Sequence, residues 1–173
     1  MKICLMGYMG SGKTSVGARL SAMFDYLHID TDMMISDQMG NSIPQIFEKY
    51  GESHFRSLEK KVLRSIDRND SVVVSTGGGL PCTQDNINYI NEHYKSVYLH
   101  LNVNKLISRL SEKEKEGRPL LNNISSNSEL KDYIESKLLE REQYYFNSDL
   151  MVDASQSIDD VADDIWEYLH ERK

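Results

Sequence analysis

Short runs of β-branched and aromatic residues alternate along the chain with longer stretches in which apolar residues recur every three or four positions. The runs at 3–6, 26–29, 72–75, 97–101 and 150–152 read as strands. Between and after them the periodicity predicts helices over about 13–24, 33–39, 43–66, 85–92, 105–112, 129–146 and 158–171, with Gly51 dividing the third. Strands that alternate with amphipathic helices imply βαβ units. The expected fold class is therefore α/β, a three-layer α/β/α arrangement around a five-stranded parallel sheet.

One segment breaks the pattern. Ser111 to Asn123 is densely charged and then interrupted by Gly117 and Pro119, so no quiet helix runs through it. A lid over about 111–124 is the functional reading of that stretch, and an exposed loop the bland one. No repeat or linker separates a second domain, and 173 residues fit a single domain over 1–173.

Composition narrows the function classes. A net charge of -7 argues against a nucleic-acid surface, which needs a clustered positive field. No apolar run is long enough to span a bilayer. The opening residues, Met1-Lys2-Ile3-Cys4-Leu5-Met6, read as a first strand and not as a secretion signal. Cys4 and Cys82 are too few for a disulfide framework. A cytoplasmic protein, probing no membrane and no nucleic acid and acting as a monomer, is expected. The five histidines show no metal-ligand spacing, and His28 reads as a packed strand residue.

Gly7-Tyr8-Met9-Gly10-Ser11-Gly12-Lys13-Thr14 fits the pattern G-x-x-x-x-G-K-S/T, directly after a strand and opening a helix. Gly10 and Gly12 let the backbone curl so that successive N–H groups face a phosphate, and the helix N-terminus adds its partial positive charge. Lys13 reaches toward the β- and γ-phosphates of ATP, and Thr14 offers a hydroxyl to Mg²⁺. Ser11 and Ser15 are counted with this ATP site.

His28-Ile29-Asp30-Thr31-Asp32 ends the second strand and begins a helix, where open α/β sheets place ligands. Helix capping is the bland role for the two carboxylates. The functional reading makes the second strand a neighbour of the first, bringing Asp30 toward the metal and Asp32 toward an acceptor hydroxyl. Ser75 and Thr76 stand at the end of the third strand, where many such enzymes carry a metal-binding Asp, so the Mg²⁺ contact falls to Asp30, through water. The glycines that follow, Gly77, Gly78 and Gly79, are a loose turn or a place where a substrate touches backbone N–H groups.

Two arginines stand out on their helices. Leu130, Ile134, Leu138 and Tyr145 form one stripe, and Arg141 falls within it. A charge on a core-facing stripe needs a partner, either a protein carboxylate or a bound anion, and spacing leaves both open. Arg56 lies at the margin of a second inward face, with Glu52 and Glu59 at pairing distance along the helix.

In order and separation these elements resemble the shikimate kinase family across nearly the whole chain. The resemblance rests on Gly7 to Thr14, Asp30-Thr31-Asp32, Phe55-Arg56 with Glu59, Gly77-Gly78-Gly79, Arg118-Pro119-Leu120-Leu121 and Arg141. It implies a P-loop architecture like that of nucleoside monophosphate kinases, with acceptor-binding helices over about 31–66. It implies that Asp32 contacts the hydroxyls of shikimate and acts as base, and that Arg56 and Arg141 hold the carboxylate while Gly78 meets shikimate through its backbone. It further implies that Arg118 folds over the ATP phosphates and that Arg109 lies near the adenine. The basic residue that the family often carries after the last strand is missing here, and Gln156 is its substitute.

Other readings share parts of this set. A gluconate kinase would share the P-loop and general fold, but Arg56 with the glycine triplet argues against it. A non-catalytic nucleotide-binding module would not need Lys13, Asp32 and the arginines together.

Overall fold

The structure is a computed structural model, and it describes residues 1–66, 71–112 and 126–171. Five strands, β1 (Lys2–Met6), β2 (Leu27–Asp30), β3 (Val72–Ser75), β4 (Lys95–His100) and β5 (Leu150–Asp153), alternate with helices. These are α1 (Lys13–Phe24), α2 (Thr31–Met39), α3 (Ile43–Ser65), α4 (Gln84–His93), α5 (Val103–Glu112), α6 (Asn127–Tyr145) and α7 (Ile158–Glu171). The strands form one sheet in the order β2-β3-β1-β4-β5, parallel throughout.

Helices cover both faces because the strands bury both. Along β1, Ile3 and Leu5 enter one core with Val16, Leu20, Leu106, Leu110 and Ile165. Cys4 and Met6 enter the other with Ile35, Ile46, Phe55, Leu63 and Ile90. Opposite placement of successive side chains follows from the period of two along a strand.

The sequence expectation placed β2 beside β1, and the structure corrects it: β3 lies between them. The physical reason lies in the strands themselves. Val72, Val73 and Val74 are fully buried, which suits a strand covered on both faces and paired on both sides. In β2, Leu27 is 54% exposed and His28 and Asp30 are polar, which suits an edge.

Helix ends follow local chemistry. Ser42 and Gln45 form a reciprocal capping box with Pro44 in the first turn of α3. Gly51 adopts φ 79° and ψ 169° inside α3 and divides it as expected. Helix α6 begins in one core with Leu130, Ile134 and Leu138 and ends in the other with Tyr145, so Arg141 is buried where the helix passes from one to the other.

Candidate active site

The site forms at the carboxyl end of the sheet, where β1 and β3 pair and the chain leaves them in different directions. After β1 the backbone turns through residues 7–12, and Gly12, at φ 99°, caps the start of α1 in a left-handed conformation that favours glycine. Lys13 Nζ donates to the carbonyls of Gly7 and Tyr8, both at 2.9 Å, so the ammonium is held over its own loop. Ser11 is 2% exposed, and Ser15 is exposed at the helix surface.

Thr14 Oγ1 donates to Asp30 Oδ2 at 2.7 Å. The other oxygen, Oδ1, accepts from the N–H groups of Asp32 and Met33 and caps α2. Asp30 thus fills its capping role with one oxygen and faces the P-loop with the other, even though β2 is two strands away from β1. A hydroxyl and a carboxylate oxygen so close are hard oxygen donors of the kind that suit Mg²⁺. Among the described residues no group of three His, Cys, Asp or Glu could hold a metal alone.

Each glycine of the triplet faces a charged side chain, and Gly77 also approaches Glu59. A Cβ on Gly77 would lie 2.5 Å from Asp32 Oδ1, one on Gly78 would lie 3.5 Å from Arg141 Nη1, and one on Gly79 would collide with the Arg56 guanidinium. The loop is held from below by the Thr31 hydroxyl, which accepts from Gly77 N–H at 2.9 Å. Asp32, Arg56 and Arg141, from two neighbouring helices and one distant one, are therefore brought together with Gly77, Gly78 and Gly79.

Arg56 is set by two carboxylates, donating to Glu59 Oε2 at 2.7 Å and to Glu52 Oε1 at 2.9 Å. Glu59 is 1% exposed, and its Oε1 has no hydrogen-bond partner among the described residues. Burial outweighs the attraction of Arg56 and, with the Asp32 carboxylate nearby, pushes the Glu59 carboxyl up to about 7. Arg141 is 9% exposed and lies over the Tyr8 ring, 5.3 Å from its centroid. Among the described residues no carboxylate forms an ion pair with it.

On the far side of the P-loop, Arg109 donates to Gly10 O at 3.1 Å and to Ala154 O at 3.0 Å, spanning from the loop to the turn after β5. Gln156 is directed into its own segment, donating to Asp164 Oδ2 at 3.0 Å. Arg118 and residues 113–124 of the expected lid lie outside the described residues.

Several contributors received no site role from the sequence. Ser75 Oγ donates to Lys13 O, and His28 Nε2 meets the same hydroxyl, each at 2.9 Å. The single hydroxyl proton goes to the carbonyl, so His28 supplies the proton of the second bond. Gly17 makes room for the pair, since its Cβ would lie 2.5 Å from His28 Nε2. Thr31, Cys82 and Tyr145 were likewise given no role of their own, because a packed residue and a site residue look alike in a periodic pattern.

The chain matches the family described as Shikimate kinase over residues 9–170. A shikimate kinase from Geobacter metallireducens is 36% identical over 171 residues, covering 98% of this chain and 92% of that one. A solved structure of shikimate kinase from Bacteroides thetaiotaomicron superposes with a TM-score of 0.91 at 31% identity, covering 98% of each chain. Another, shikimate kinase from Acinetobacter baumannii in complex with shikimate, gives 0.87 at 29% identity, covering 99% of this chain and 94% of that one.

Proposed function

The chain belongs to the shikimate kinase family, and we propose that it transfers the γ-phosphoryl group of ATP to the 3-hydroxyl of shikimate, a step of aromatic amino acid biosynthesis. The observation that carries this reading is the pair of guanidinium groups against the glycine triplet. Arg141 is buried without a carboxylate partner among the described residues, and a buried charge of that kind calls for an anion from outside the chain. The carboxylate of shikimate, bound in the fork of Arg56 and Arg141 and met by the backbone of Gly78, supplies it.

With the carboxylate anchored there, the acceptor hydroxyl is directed to Asp32 and the P-loop. Asp32 takes the hydroxyl proton as the oxygen attacks the γ-phosphorus. The new P–O bond forms as the bond to the bridging oxygen breaks, and ADP leaves with that electron pair. Gly10, Ser11, Gly12 and Ser15 line the phosphate cradle, and Lys13 turns from the Gly7 and Tyr8 carbonyls to the phosphates and steadies the transferring charge. Mg²⁺, held by Thr14 and through water by Asp30, neutralises phosphate charge when bound. Arg109 marks the adenine side, Arg118 belongs to the phosphate lid, and free, buried Cys4 supports a reducing, cytoplasmic setting.

The test is a coupled ADP-release assay with shikimate, with gluconate and with no acceptor. Shikimate-dependent release is expected. Release that depends on gluconate, or that needs no acceptor, would overturn the reading.

A further inference from the structure

Two donors converge on one backbone oxygen beside the paired arginines. The Tyr145 hydroxyl donates to the carbonyl of Gly78, and the Cys82 thiol reaches the same oxygen at 3.5 Å. Tyr145 is wholly buried, with its ring 5.0 Å from that of Tyr98, so packing holds the phenol in place. Burial pushes both the phenol and the thiol above their ordinary ranges, so both keep their protons and remain donors.

The consequence reaches the next residue. No peptide bond described is cis, so the N–H of Gly79 points opposite to the carbonyl of Gly78. Thr76, Gly77, Leu80 and Cys82 all have bonded N–H groups. Among the described residues no acceptor meets the N–H of Gly78 or Gly79. Gly78 and Gly79 are half-buried, so these N–H groups are left to solvent or to a ligand, and Gly79 stands directly against the Arg56 guanidinium. Tyr145 lies four residues beyond Arg141 on α6, so both project from one face of the helix. A single turn of α6 therefore supplies the guanidinium beside Gly78 and the hydroxyl on its oxygen.

We infer that Tyr145 is a positioning residue for the acceptor: together with Cys82 it fixes the Gly78–Gly79 peptide so that the Gly79 N–H is presented to the carboxylate gripped by Arg56 and Arg141. The inference rests on the reading of this pocket as the shikimate site. A packing role alone would need the ring and not the hydroxyl.

Tyr145→Phe separates these, since it keeps the ring. By calorimetric titration its Kd for shikimate should rise about 3- to 10-fold, the loss expected for one neutral hydrogen bond, with the Kd for ADP unchanged. In the wild type, shikimate should move the Gly79 amide proton resonance downfield, and in the variant that movement should shrink. Cys82→Ala should act in the same direction and more weakly, because a thiol is a poor donor. If the wild type binds shikimate and Tyr145→Phe binds it as tightly, the inference is overturned, whatever happens to the melting temperature. Should Tyr145→Phe not fold, Cys82→Ala decides: an unaltered Gly79 response overturns the inference and a diminished one supports it. A wild type that binds ADP but no shikimate removes the acceptor-site reading itself, an outcome distinct from either variant's result.

Discussion

The two halves of the site are built in opposite ways. The phosphate cradle of the nucleotide half is one continuous stretch with a single outside carboxylate, and Lys13 is held by that stretch's own backbone, its Nζ bonding the carbonyls of Gly7 and Tyr8. The acceptor half draws Asp32 from α2, Arg56 and Glu59 from α3, three glycines from the turn after β3 and Arg141 from α6. Glu59 and Arg141 are buried and Asp32 and Arg56 half-buried, and they are held by one another and by packing. A phosphate needs a generic cradle of N–H groups, which a short motif can fold by itself. Recognition of one small carboxylate needs planar groups at fixed angles, and only a tertiary scaffold provides them.

Lys13→Ala gives the largest expected contrast. It should lower kcat at least about 100-fold, as removal of a donor to developing transition-state charge does. The fold should be unchanged, because Lys13 lies outside both cores. Titration of the variant with shikimate should give the wild-type Kd. A large loss of shikimate affinity would show that the two halves are not separable.

Arg141→Ala probes the other half. KM for shikimate should rise about 10- to 150-fold, the worth of a charge-assisted pair, with KM for ATP little changed. Steady-state kinetics in both substrates reads this directly. Equal effects on both KM values would make Arg141 a structural residue of α6 and break the comparison.

The smallest effect concerns Glu59 and needs only thermal melts. Its folded-state value of about 7 lies above its ordinary 4.5, so the native state holds this proton longer than the unfolded chain. The stability it contributes is complete below about pH 4.5 and is lost as pH rises through about 7. Relative to Glu59→Gln, the wild type should therefore lose stability across that window, at no more than about 1.4 kcal/mol per pH unit. A difference that stays flat with pH would mean that Glu59 is ionised throughout by Arg56.

The limits of sequence legibility follow the same division. Helix α1 and strand β3 matched their expected spans because their signals are local: a motif that must open a helix, and a run of valines that must be buried. The kink at Gly51 was legible for a similar reason, since glycine alone tolerates φ 79° there. Asp30 was ambiguous between cap and metal contact, and in the structure one oxygen caps α2 while the other accepts from the Thr14 hydroxyl.

By itself the sequence determined the five-strand parallel architecture, the phosphate loop and the presence of odd charges on apolar faces, because each depends on periodicity or on residues a few positions apart. Only the tertiary structure decided that β3 separates β2 from β1, because strand order depends on which strand can be buried on both sides. It alone decided that three successive glycines face Asp32, Arg141 and Arg56, and that Tyr145 holds the peptide between two of them. Those contacts join residues 23 to 67 positions apart, and no local pattern encodes an approach set by how whole helices pack against a sheet.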